Sequence, residues 1–206
     1  MNFLAHAFLT PNNGQLLIGN FFGDSFKGKP EKHGPRMVSE GIKLHRSIDH
    51  YTDTHPLVLK AVDLFRPQQK RFAPVVIDMV FDHLLASEFH HWSDIGLSPF
   101  STSVFNLIDE QEQHIPTKAM LFYPHLKKHN WLLHYSKMKG LQLALEGMDR
   151  RISSPTTLAN SVSLVHEHRD ELMDLFNPFF KDLQNHVYDY LANMDFDIDS
   201  NFAPLK

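Results

Sequence analysis

Val75-Val76-Ile77-Asp78-Met79-Val80-Phe81-Asp82-His83-Leu84-Leu85-Ala86 sets the architecture of this chain. Wound as a helix, it carries apolar residues on every side and leaves no solvent-facing stripe, so it belongs in a core. Two acids interrupt it. Asp78 and Asp82 are four residues apart and point the same way. Buried together they repel each other, and each is expensive to desolvate. A shared proton, a basic partner or a metal cation must neutralise them. His83 follows directly, which makes a metal the leading expectation, with Arg46 or Arg71 as the alternative without metal.

Outward from this segment, helical periodicity dominates and alternating strand patterns are absent. The spacing predicts a short helix from Phe3 to Leu9, stopped before Pro11, then a polar turn and an apolar stretch ending in Gly23-Asp24. A basic loop follows from Lys27 to Pro35. Helices are expected over about 37–52 and 56–65, the second capped by Thr54, with Pro56 in its first turn, and ended by Pro67. The buried helix is expected over roughly 74–91, with later helices near 101–113, 117–136, 138–149 and 156–193. The last is expected to break around Asn177-Pro178, and the tail from 195 to 206 to be irregular. No repeat or long linker divides the 206 residues, so one all-α helical-bundle domain over 1–206 is expected.

Composition narrows the chemistry. There is no cysteine, which excludes disulfides, zinc–thiolate sites, iron–sulfur clusters and cysteine nucleophiles. The N-terminus lacks the basic start and apolar run of a signal peptide. No apolar run approaches the roughly 20 residues that span a bilayer. A soluble, cytoplasmic protein is expected, with neither membrane nor nucleic acid as partner. The net charge of −4 is unevenly spread. Between Lys27 and Arg46 six Lys/Arg face only Glu31 and Glu40, and from His114 to Leu145 there are five Lys and no acid. Such patches fit either an anionic partner or ordinary solvated helix faces.

A second helix adds to the acids. In Gly41-Ile42-Lys43-Leu44-His45-Arg46-Ser47-Ile48-Asp49-His50-Tyr51-Thr52-Asp53, His45, Asp49 and Thr52 share a face with Ile42 and Ile48, which points inward. Asp24 follows a glycine, and His6 lies in an apolar first helix. Together these residues offer nitrogen and oxygen ligands and no sulfur, a set suited to Mn, Fe, Zn or Mg. Carboxylate-rich helical sites of this type hydrolyse phosphoesters. Each piece also has a plainer reading. His6 fits a hydrogen-bonded core histidine, Asp24 and Asp53 fit helix caps, and His45 with Asp49 fits an internal ion pair. Met148-Asp149-Arg150-Arg151 fits either a phosphate site or charges that complement a helix end.

Asn2-Phe3-Leu4-Ala5-His6, Gly19-Asn20-Phe21-Phe22-Gly23-Asp24, Gly41 to Asp49, Thr52-Asp53-Thr54-His55-Pro56 and Asp78 to His83 occur in that order. With these motifs the chain resembles the acyl-carrier-protein phosphodiesterases, also called ACP hydrolases. The resemblance covers nearly the whole chain. It implies cleavage of the phosphodiester joining 4′-phosphopantetheine to a serine of acyl carrier protein, giving apo carrier and free 4′-phosphopantetheine. It implies a helical fold distantly like the HD metal-dependent phosphohydrolases and a divalent cation, with manganese favoured. The adjacent His-Asp pair of HD proteins stands here only in reverse, as Asp82-His83.

On that resemblance Asp24, His45, Asp82 and His83 are the expected ligands. Asp49 and Asp78 are further ligands or groups that orient them, and His6 is an additional ligand. Asp24, His45, Asp78, Asp82 and His83 form the expected catalytic set, and Lys27 or Arg46 is expected to hold the phosphate. Acyl carrier protein is acidic, so the basic 27–46 region and the lysines from 118 to 139 become docking candidates. Two other readings fit the same residues. One is a metal phosphohydrolase acting on a nucleotide or another small phosphoester; the other is a non-catalytic helical protein that binds an acidic partner. A carboxylate-bridged di-iron oxidase fits less well, because no Glu-x-x-His pair occurs in the metal-candidate region.

Overall fold

The computed structural model describes residues 1–152 and 157–194, and among them every regular element is helical. The first two helices are α1 (Phe3–Phe8) and α2 (Gly14–Phe21). A 3-10 turn, Gly23–Ser25, leads on to α3 (Arg36–Thr54) and α4 (Pro56–Gln69). The apolar helix is α5 (Ala73–Ser87), followed by a 3-10 turn, Phe89–His91. Beyond it come α6 (Leu97–Asp109), α7 (Thr117–Met120), α8 (Tyr123–Lys128) and α9 (Trp131–His134). The chain continues with α10 (Met138–Asp149), α11 (Ser161–Glu167) and α12 (Arg169–Ala192). The tail expected to be irregular, 195–206, lies outside the described residues.

As its sequence predicts, α5 is central, with Val76, Ile77, Val80, Phe81, Leu84 and Leu85 fully buried. It is not covered on every side, however: Pro74 and Val75 in its first turn are exposed and Asp78 is only partly buried. Phe81 packs against Phe176 and Phe179 of α12, which joins the C-terminal helix to the same continuous core. Beside it α2 and α3 cross with their backbones in near contact. A Cβ on Gly41 would stand 2.1 Å from the carbonyl oxygen of Leu16, and one on Gly19 would stand 2.1 Å from that of Val38. Only glycine permits that approach, and it brings the inward face of α3 up to α1 and α2.

Several helix ends differ from expectation. Pro67 does not end α4, which runs on to Gln69, and Pro178 lies inside an unbroken α12. Each proline removes one N–H bond, to Asp63 or Asp174 four residues earlier. All four residues are exposed, so water can take the freed carbonyls. The C-terminal helical region breaks instead at His168, between α11 and α12. The helix expected over 117–136 is three short ones. Asn130 takes a left-handed conformation, φ 42°, and its side chain accepts from the Leu133 N–H to start α9. His55, not Thr54 or Asp53, caps α4, its Nδ1 accepting from the Leu57 N–H.

Candidate metal centre and the cavity beside it

Three side chains from two helices meet at the crossing of α1, α2 and α3. His6 on α1 and His45 and Asp49 on α3 present ligand atoms that all lie within 4.8 Å of one another. His6 Nε2 is 3.1 Å from Asp49 Oδ1, and His45 Nε2 is 3.0 Å from Asp49 Oδ2. Asp24, from the turn after α2, reaches His45 Nε2 at 3.4 Å. The two imidazoles stack with centroids 4.2 Å apart, and both are buried. Gly23 makes room for them, since a Cβ there would fall 2.1 Å from the His45 ring.

Asn20 sets the tautomers. Its side-chain oxygen accepts from His6 Nδ1 at 2.8 Å, and its backbone carbonyl accepts from His45 Nδ1 at 2.9 Å. Its amide nitrogen donates to the His6 carbonyl and to Thr10, so the fully buried Asn20 is held in one orientation. With both Nδ1 atoms donating, both Nε2 atoms face carboxylate oxygens. Each such pair needs a second proton on the ring or a cation between the partners. Burial lowers His45, but Asp24 and Asp49 outweigh it and raise its pKa to about 9. His6 is lowered, chiefly by burial and by the neighbouring His45, against the pull of Asp49. Burial raises the Asp49 carboxyl, yet the bonds from His45 and His6 hold it far below the ordinary carboxylate range. Asp24 is also lowered, chiefly by its bond from His45. Two imidazole nitrogens with ionised carboxylates, oriented from behind by one asparagine, are a donor set that fits a hard or borderline divalent cation.

The other expected residues lie elsewhere. Asp82 accepts from the N–H groups of Asn2, Leu4 and Ala5 at 3.2, 2.7 and 3.2 Å, so its carboxylate caps the start of α1. Burial pushes Asp82 up to about 7 against the pull of those bonds. Asp78 Oδ1 lies 2.9 Å from the terminal ammonium of Met1. Neither Arg46 nor Arg71 is within salt-bridge distance of these acids. His83 Nδ1 bonds the Tyr135 carbonyl at 2.6 Å, and its buried Nε2 has no hydrogen-bond partner among the described residues. Thus α5 supplies the floor that fixes α1, while the metal-type donors gather on α1 and α3. Lys27 is exposed, and exposed Arg46 donates to the Gly28 carbonyl at 2.7 Å.

The cluster opens onto a cavity of about 550 Å3, whose walls include His6, His45, Asp24, Phe122, Trp131 and Arg151. A second cavity of about 520 Å3 shares Asn2, Phe3, Asp24, Trp131 and Arg151 with the first and also reaches Asp78. Neither Lys27 nor Arg46 lines them.

Across residues 1–183 the sequence matches the family described as acyl carrier protein phosphodiesterase. The chain belongs to this family. Among similar acyl carrier protein phosphodiesterases, the one from Photorhabdus laumondii is 32% identical over 184 residues, covering 87% of this chain and 91% of that protein. Those from Yersinia pestis and Salmonella dublin are 32% and 33% identical, each over 87% of this chain and 94% of its own length. No solved structure matches the chain. Of the motifs that carry the family resemblance, the one from Gly19 to Asp24 received a role from sequence only at Asp24, and Asn20 received none. Its function emerges only when α2 is laid behind the two histidines.

Proposed function

We propose that this chain carries out its family's reaction with a divalent cation held by His6, His45 and Asp49, with Asp24 completing the set. The reaction is hydrolysis of the phosphodiester between 4′-phosphopantetheine and a serine of acyl carrier protein, which converts holo to apo carrier. Manganese is the favoured ion, with Mg, Fe or Zn as alternatives, and the cysteine-free composition suits a cytoplasmic setting. The observation that carries the reading is geometric: ligand atoms of His6, His45 and Asp49 converge within 4.8 Å of one another while Asn20 engages the Nδ1 of both rings, an arrangement that a shared cation satisfies.

A bound divalent cation supplies Lewis-acid stabilisation of the phosphoryl oxygens and lowers the pKa of an attacking water. The chain's own residues do the rest. Asn20 holds both imidazoles with Nε2 forward. Asp24, its side chain 94% exposed at the cavity wall and kept ionised by His45, orients the water by accepting its hydrogen bond. Phe3, Phe122 and Trp131 exclude bulk solvent from the inner wall. The carrier is too large to enter and stays outside, where the lysines between 118 and 139 offer charge complementary to an acidic protein.

The direct test is purified protein incubated with Mn(II) and holo acyl carrier protein, followed by mass spectrometry of the carrier. Loss of the phosphopantetheine mass is expected with the native protein and not with Asp49→Ala, given that the variant remains folded by circular dichroism. Turnover by folded Asp49→Ala at the native rate would remove the proposed centre.

A further inference from the structure

Arg150 and Arg151 close α10, and among the described residues neither has a carboxylate partner. The adjacent acid, Asp149, accepts instead from the N–H groups of Leu158 and Ala159. Arg151 lines both large cavities, so it stands where the one holding His6 and His45 passes into the next. Among the described residues, Lys118 and Arg151 are the only Lys or Arg on the wall of the first cavity. The second cavity joins a third, of about 250 Å3, through shared walls at Tyr135, Leu143, Ala144 and Arg150. The three cavities adjoin through these shared walls, with the Arg151 guanidinium between the first two and, beyond it, aromatic and aliphatic side chains together with His125, His129, His134 and Arg150.

We propose that Arg151 grips the non-bridging oxygens of the scissile phosphodiester. The pantetheine arm then extends from that point along Trp131, Tyr135, Leu143 and Ala144 toward Arg150. This assignment rests on the phosphodiesterase reading above and names the residue that selects the phosphorylated arm. The chemistry matches at each position. A guanidinium offers a planar fork of N–H donors to two phosphate oxygens. The arm is uncharged, with amides and a gem-dimethyl group, and suits a wall of aromatic and aliphatic side chains with the Tyr135 hydroxyl among them. The carrier remains on the rim of the first cavity, beside exposed Lys118 and Leu121.

Binding of free 4′-phosphopantetheine and of pantetheine, which lacks the phosphate, separates the two parts. By titration calorimetry the native protein is expected to prefer the phosphorylated arm by about tenfold or more. In Arg151→Ala that preference collapses while pantetheine affinity stays, Arg151→Lys retains part of it, and KM for holo carrier rises more than kcat falls. Arg151 is exposed, so its removal should leave the melting temperature in place. Arg66→Ala, whose arginine pairs with Asp63 at the surface, serves as the charge control and should behave as native. An undiminished phosphate preference in Arg151→Ala, in a protein that still converts holo to apo carrier, overturns the Arg151 assignment alone. A native protein that shows the Arg151-dependent preference but no conversion overturns the reaction and leaves the anion site standing.

Discussion

His45 carries the strongest electrostatic consequence of any single residue. In protein stripped of metal its pKa stands at about 9 against an ordinary 6.5, because Asp24 and Asp49 outweigh burial. A raised histidine stabilises the fold fully below 6.5, and that contribution fades as pH climbs through 9. A cation at the same Nε2 must displace the proton. Apparent Mn(II) affinity should therefore rise by about tenfold per pH unit from the mid-6 range and level off above 9, with about one proton released per ion. Calorimetry in buffers of different ionisation enthalpy reads both quantities; an affinity flat across that range would contradict the assignment. The inward His45–Asp49 face was legible in the sequence, because four-residue spacing and neighbouring Ile42 and Ile48 are local facts. Asn20 was not, and the Arg150-Arg151 run read equally as a phosphate site or as charges that complement a helix end. An asparagine behind two histidines and an arginine at a cavity junction are defined by elements far apart in the chain.

At the scale of the element, α1 is six residues long and too short to hold itself as a helix in water. Asp82 of α5 holds its first turn through three N–H bonds, as a capping carboxylate does at a helix start. Asp82→Ala strands those amides in a buried place and should cost on the order of 3 kcal/mol, measured by urea unfolding. It should also weaken Mn(II) binding, because His6 rides on α1, although Asp82 itself does not touch the cluster. A variant with native stability would show that α1 is anchored by other contacts. The burial of α5 was readable from its composition, and the need to neutralise its acids was readable too. The neutralising groups were not, since backbone N–H groups leave no mark in a residue pattern. Pro67 and Pro178 were misleading for the complementary reason: their exposed faces, which tolerate the lost bonds, are a property of the assembled bundle.

For the whole molecule, the arrangement has one direction. A core helix fixes a short helix, the short helix and α3 bring two imidazoles against one carboxylate, and the cavity beyond is walled by both Lys118 and Arg151. No helix among the described residues is long and apolar enough to cross a membrane. The all-helical class was fully legible, and so was the family, because ordered motifs such as Gly19 to Asp24 and Gly41 to Asp49 are local strings. Which acids stand beside the two imidazoles was only half legible, since two carboxylate pairs at the same spacing, on α3 and α5, look alike until the helices are placed. The most direct test of the centre is the metal dependence of carrier conversion. Chelator-treated protein, returned to holo acyl carrier protein with and without Mn(II), should release the prosthetic group only when the ion is restored. Conversion at an undiminished rate in excess chelator would contradict the account.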